Sequence, residues 1–400
     1  MSLHLWTDGV DVASVNTLPE NGDFKARGDS FIKKQNPFSY MQDRLVIADG
    51  CAFDLHDGSN WRQVSNRGDM VINPASVLEE GDSFTVGTDY FIYLLLNASK
   101  NPEIAISRNA TFPLGFTAEN SRKIGGFHYG SIRKVDDSWT PVDSLGTKYG
   151  AGGTHWRDNV TVGIIPNSVW DLKNRPKTLF GGLVKVGNIW MSIYQASIKV
   201  PVTFMDSTKG LHVSGGELQS VYGQMPATGT EGLCQYNFVE LASRAGMRLP
   251  SYQEWLAAAM GNPQGEDAAD NYGWTKKTNI ERARTGCCVN PNSGVYDAVS
   301  GIKKYAVSAF NCVDCVGNVW ENLSDYIGRF DAGTGTWGYQ DQLGSGMGQV
   351  FEWKADGLSA LRVGGNWNSG VCCGSRAVYM STSPWILNSS NGCRLACDPA

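Results

Sequence analysis

The chain is poor in charge: Asp, Glu, Lys and Arg make up 18% of its 400 residues, and the net charge is −5. No Lys/Arg cluster forms a stripe, so the basic footprint that nucleic-acid binding requires is missing. Long apolar runs are absent too, since "YFIYLLL" from Tyr90 falls far short of the ~20 residues needed to span a bilayer. The amino terminus "MSLHLWTDGVDVASVN" has no basic region leading into an apolar stretch, which predicts synthesis in the cytoplasm without an export signal. Histidine is scarce, and none follows His212. The chain beyond that point has no imidazole for a general base or a metal ligand.

What the sequence has instead is glycine, 47 residues, and tryptophan, 13 residues. That balance favours turn-rich β structure with long ordered loops over coiled coil or disorder. The length suits two or three domains. Ten cysteines occur, but the reducing compartment implied by the amino terminus predicts thiols rather than a disulfide framework. Two pairs are adjacent, Cys287-Cys288 and Cys372-Cys373, where a bridge would be strained. "CVDC" at Cys312–Cys315 has the spacing of half a zinc site, yet no second such pair follows, so no metal is expected there.

Three regions follow along the chain. Residues 1–45 are polar and turn-rich, which predicts a small β-rich attachment or trimerisation module. The tripeptide Arg27-Gly28-Asp29 within it reads as a turn. Residues 46–159 alternate β-branched and apolar runs with Gly/Asp/Asn clusters, the pattern of a β-sandwich, and end in an aperiodic linker over 136–159. Residues 160–400 open with two helices and continue as short strands between Gly/Asn/Ser loops, an α+β arrangement. In "RLPSYQEWLAAAMG", Ser251 and Glu254 are spaced as a capping box, and Gly261 marks a stop.

Five ordered stretches in this last region carry a resemblance: "RLPSYQEWLAAA", "VGNVWEN", "LRVGGNWN", "GSRA" and "GCRLACD". Together they resemble the formylglycine-generating-enzyme branch of the C-type lectin fold. Within it the chain is most similar to the phage major tropism determinants, receptor-binding proteins diversified by a retroelement. The resemblance implies an α+β C-type lectin carboxyl-terminal domain, a virion location at a tail-fibre tip, and a homotrimer joined to other tail-fibre protein. It also implies that a host cell-surface receptor, protein or glycan, is the partner, with neither nucleic acid nor membrane insertion involved. No cofactor is implied, although a structural calcium ion is allowed.

In such proteins adenines of a template are miscopied, so template Asn codons yield many residues but never Lys, Glu, Gln, Met or Trp. Between Val363 and Cys397 this sequence has no Lys, Glu, Gln, Asp or His. Aligned without a gap over 364–398, the family's variable positions fall on Asn366, Asn368, Gly370, Cys372, Tyr379, Ser381, Thr382, Ile386, Asn388, Ser390 and Asn391. A device of this kind needs those side chains on one exposed face, where substitution costs little. Trp320, Gly364, Gly365, Trp367, Arg376, Trp385 and Arg394 are the expected frame: tryptophans to pin loops, glycines for close approach, arginines to satisfy carbonyls or a carboxylate such as Glu321 or Asp325.

Two rivals share the fold. An oxidase of the formylglycine-generating branch would place catalytic cysteines four and nine positions after the Gly-Gly, where this chain has Ser369 and Gly374. A glycosidase would need two of Asp297, Glu321, Asp325 and Asp331 to converge, and no spacing singles them out. No enzymatic activity is therefore expected. A bacterial surface-displayed variable protein would bind by the same means but would need an export signal or lipid anchor.

Overall fold

The computed structural model describes residues 6–11, 30–35, 44–133, 135, 160–178, 180–206, 212–262, 275, 280–286, 306–329, 338–340, 350–352 and 357–400. The Arg27-Gly28-Asp29 tripeptide, the 136–159 linker, Cys287-Cys288, Asp297 and Asp331 lie outside them. The chain divides into two units, residues 1–130 with 162–175 and Ala400, and residues 131–161 with 176–399.

The first unit is built on β1 (Trp6–Asp11), β2 (Ile32–Lys34), β3 (Leu45–Ile47), β4 (Ala52–His56), β5 (Trp61–Asn66) and β6 (Met70–Ile72). It continues through β7 (Thr88–Leu96), β8 (Pro102–Ser107), β9 (Ser121–Arg133), β10 (Val160–Ile164) and β11 (Trp170–Asp171). These form sheets ordered β1-β5-β4, β2-β3-β6 and β10-β9-β7-β8, with β11 pairing β9. One core joins them, from Phe31, Leu45 and Phe53 to Tyr90, Ile92, Leu94, Ile106 and Phe127, all at most 1% exposed. The apolar run "YFIYLLL" is thus buried along its whole length in β7, at the centre of its sheet. Residues of the expected 1–45 module are drawn into these sheets: β1 pairs β5, and β2 pairs β3. The described part of that segment is no separate module, because its strands find their partners further along the chain. Asp171 ties the segment down, accepting hydrogen bonds from Ser30 Oγ at 2.8 Å and from the backbone N–H groups of Phe31 and Ile32.

The second unit holds β12 (Leu183–Val186), β13 (Ile189–Ser192), β14 (Ser197–Phe204) and β15 (Val213–Gln219), then helices α1 (Gln235–Arg244) and α2 (Tyr252–Ala258). Its remaining strands are β16 (Trp320–Arg329), β17 (Gly338–Gln340), β18 (Val350–Glu352), β19 (Gly357–Gly364), β20 (Gly374–Thr382), β21 (Asn391–Cys393) and β22 (Ala396–Cys397). Both helices start and stop on local signals. Ser251 Oγ accepts from Glu254 N while the Glu254 carboxylate accepts from Ser251 N, and Gly246 and Gly261 after the helix ends take φ of +69° and +83°. The principal sheet runs β17-β18-β20-β19-β16-β21, with β16 antiparallel to β19 and parallel to β21.

A polar hub holds the irregular loops of this unit. Arg394, 0% exposed, donates to both oxygens of Glu321, at 3.1 and 3.0 Å, and to the carbonyls of Ser192, Ile193 and Val313. Trp255 Nε1 and Gln195 Nε2 donate to the same carboxylate at 2.6 and 3.1 Å. Every donor of the guanidinium therefore meets an oxygen, the condition under which a buried ion pair is tolerable. Burial opposes the Arg394 charge, but Cys315, Glu321 and Cys312 outweigh it and raise the guanidinium above its usual range. Asn311, Asp314 and Asn318 adopt φ of 65°, 60° and 60°, a left-handed conformation these residue types tolerate. Asn318 uses it to accept from Ala283 N at 2.7 Å and to donate to Gln195 Oε1 at 2.8 Å.

Candidate functional site

Strands β19 and β20 are neighbours whose register pairs Arg362 with Tyr379 and Val363 with Val378. Between them the chain makes a tight excursion starting at Gly364 and Gly365, with φ of +91° and +89°. A Cβ on Gly364 would stand 2.7 Å from the Cys315 carbonyl oxygen, and one on Gly365 would overlap Cys373. Glycine is required at both places. Trp367, 8% exposed, pins the excursion through its backbone N–H, which donates to Asn318 O at 2.9 Å. Asn366 and Ser369 close it with a side-chain hydrogen bond of 2.6 Å. After β20 a second loop leads to β21, folded on Asn388 Oδ1, which accepts from Ser390 N and Oγ at 2.8 and 2.7 Å.

These two loops and the strands between them enclose a solvent-open cavity of about 420 Å³. It is lined by Asn366, Asn368, Cys372, Tyr379, Thr382, Asn388, Ser390 and Asn391, together with Trp320, Arg362 and Ser369. Trp320 and Tyr379 meet there with ring centroids 5.4 Å apart, tilted by 50°. Of the remaining candidate positions, Ser381 is half-buried on β20, Ile386 is 40% exposed, and Gly370 is buried in a 3₁₀ turn with φ of +55°.

Two expectations need correcting. The candidate positions were expected to be uniformly outward-facing, yet Gly370, Ser390 and Asn391 are buried. The backbone of Ser390 accepts from Trp320 N at 2.8 Å, and Asn391 pairs with Trp320 across parallel strands, so both are held by the sheet itself. Among the expected frame residues, Trp320, Gly364, Gly365, Trp367 and Arg394 are buried, whereas Trp385 is 55% exposed and Arg376 is also exposed. Trp385 sits at the loop tip beside Ile386 and Leu387, each 40% exposed, so its ring presents apolar surface to solvent. Arg362 was not singled out from the sequence, and Ser369 was named only as a position where an oxidase would carry a cysteine. The signal for Arg362 was its place between Leu361 and Val363 in an otherwise apolar strand, where a charged residue is unusual.

Of the carboxylates considered for hydrolysis, the two among the described residues are already engaged. Glu321 is engaged by Arg394, Trp255 and Gln195, and Asp325 accepts from Tyr252 N at 2.8 Å. Among the described residues, no three His, Cys, Asp or Glu side chains converge as a metal site. No helix among them is long and apolar enough to cross a membrane.

A lectin-type scaffold that presents a polar cavity between two loops, with one arginine in its wall, is the class these features define. The match to known families places the chain more closely. Residues 182–399 match the sulfatase-modifying factor enzyme 1-like domain, and the chain belongs to that family. Residues 39–157 match the Mtd second domain. A tail fibre receptor-binding protein of Bordetella phage BPP-1 is 28% identical over 329 residues, covering 79% of this chain and 72% of the relative. Among solved structures, the U1 and M1 variants of the major tropism determinant superpose with TM-scores of 0.61 and 0.62 at 22% identity. They cover 94% and 95% of this chain, against 85% and 86% of their own. The architecture is therefore the C-type lectin fold of the major tropism determinants.

Proposed function

We propose that the chain is a receptor-binding protein of a phage tail fibre that grips a host-surface ligand with the cavity between β19, β20 and the loop before β21. The observation that carries this reading is convergence. Eight of the eleven candidate variable positions, from Asn366 to Asn391, line a single cavity although they are spread over two loops and a strand. An ordinary polar surface gives no reason for that gathering. The curated relative is named as a receptor-binding tail fibre protein, which supports the same role and argues against an enzyme. Ser369 and Gly374 at the positions of the oxidase cysteines point the same way.

The variable positions act as interchangeable groups on a fixed frame, sampled by retroelement copying. The protein works as a homotrimer mounted on the virion, where several weak sites add through effective concentration. Adsorption of virions to their host tests this reading. Tyr379→Ala and Asn368→Ala, each in a correctly folded protein, are expected to abolish or redirect adsorption. Unchanged adsorption and host choice in both would refute it. A near-copy of the 3′ end of the gene, differing only at adenines of the copy, is the expected genetic signature. Light scattering should give the mass of three chains.

A further inference from the structure

The cavity contains a buried cation. Arg362 is 2% exposed, yet it lines the cavity wall. Its Nε donates to Asn322 Oδ1 at 2.9 Å and an Nη to Ser383 O at 3.4 Å, both neutral acceptors. No carboxylate forms an ion pair with it among the described residues, and none of the side chains lining the cavity is acidic. Burial pushes the guanidinium down to about 10, which leaves it charged at neutral pH. Asn391 lines the same cavity at 5% exposure, and its Nδ2 has no hydrogen-bond acceptor. A buried charge without a counter-charge and a buried donor without an acceptor, each so among the described residues, are costly, and here they share one cavity.

Building on the ligand-binding reading above, we infer that this cavity takes the carboxylate of an acidic sugar, with Arg362 and Asn391 Nδ2 as its donors. Arg362 supplies the charge, and its planar fork suits two carboxylate oxygens. The rest of the wall suits a sugar ring. Asn366, Asn388, Ser369 and Thr382 offer amides and hydroxyls for ring hydroxyls, and Trp320 and Tyr379 offer aromatic carbon. The volume, about 420 Å³, falls in the range of about 300–1,000 Å³ that small-molecule sites occupy. A peptide carboxylate would bring apolar anchors that need an apolar cup, and this lining is mainly amide and hydroxyl. Arg362 lies outside the 364–398 segment, so in this reading the charge is a constant element around which the sampled residues select the sugar.

Saturation-transfer NMR on the full chain tests this with glucuronate, N-acetylneuraminate, their methyl esters, glucose and glutamate as probes. At least one acidic sugar should bind about tenfold or more tightly than its methyl ester and than glucose, because esterification removes the charge and leaves the ring. Arg362→Gln should lower that affinity by a similar factor. The ester comparison is made on the unaltered protein, so it decides the matter even if the variant fails to fold. Equal binding of acid and ester, or no binding of either acidic sugar, would overturn the inference. Glutamate binding as tightly as the sugars would also overturn it, in favour of an acidic peptide. Loss of host adsorption in Tyr379→Ala alongside any of these results would leave the receptor-binding reading standing and remove only the carboxylate.

Discussion

Two arginines of the second unit, both almost wholly buried, have opposite surroundings. Arg394 is held by Glu321 and three backbone carbonyls, and its charge is stabilised above the ordinary range despite burial. Arg362 has only neutral acceptors among the described residues, and burial lowers it to about 10. The hub around Arg394 is satisfied from within and holds loops together. The cavity around Arg362 leaves Asn391 Nδ2 unmet among the described residues and opens to solvent. In the proposed reading the satisfied hub belongs to the frame, and the cavity that holds Arg362 and the unmet Asn391 Nδ2 takes the ligand.

The sharpest way to break that comparison is to damage the hub. Arg394→Met leaves the Glu321 carboxylate buried without its cation, and removing one partner of a buried pair costs about 3–5 kcal/mol. Urea unfolding of the variant should show a loss of that size; a loss below about 1 kcal/mol would mean the hub is not the frame. Next comes Gly365→Ala, which forces a left-handed residue into Cys373 and should cost about 1–3 kcal/mol by the same measurement. Binding and stability would fall together in both variants, because the frame carries the cavity.

The frame was largely legible in the sequence because its signals are local. The Ser251–Glu254 capping box needs only four consecutive residues to be recognised. The Gly-Gly and Trp of "GGNW" likewise announce a turn and its pin. The Arg394–Glu321 pair was foreseeable because an arginine among neutral residues must find an acceptor. What stayed hidden depends on partners distant in the chain. Strand β1 reads as part of a separate polar module until β5 claims it, and Asn391 reads as an exposed loop residue until β16 claims it. Trp385 shows the converse. Hydrophobicity states that a side chain would gain from burial, but only the loop path decides that this one stays 55% exposed.

Smaller perturbations sharpen the comparison. Arg248 donates to both oxygens of Glu254, at 2.7 and 2.6 Å, and holds its carboxyl below the usual carboxylate range. The folded-state value lies below the unfolded value of about 4.3, so the contribution is present above that pH and lost as pH falls through the lower, folded value. The pair is partly exposed, so the loss should stay under about 1 kcal/mol. Glu254→Gln should remove that part of the acid limb in a pH series of unfolding midpoints. Among the eight described cysteines, all thiols, Cys372 alone is not buried. Of these eight it should react first with iodoacetamide, and the adduct should fill the cavity and block binding without unfolding the chain. Ile386→Ala, at an exposed loop tip, should shift stability by no more than about 0.5 kcal/mol.

The most direct measurement is a library randomised at Asn368, Cys372, Tyr379 and Thr382, with each clone scored for protease resistance and for adsorption to the host. The account predicts that most clones stay resistant while adsorption is lost or moves to other hosts, since the frame is indifferent to these side chains and the ligand is not. A library in which most clones become protease-sensitive, or in which folded clones adsorb as the original does, would contradict it.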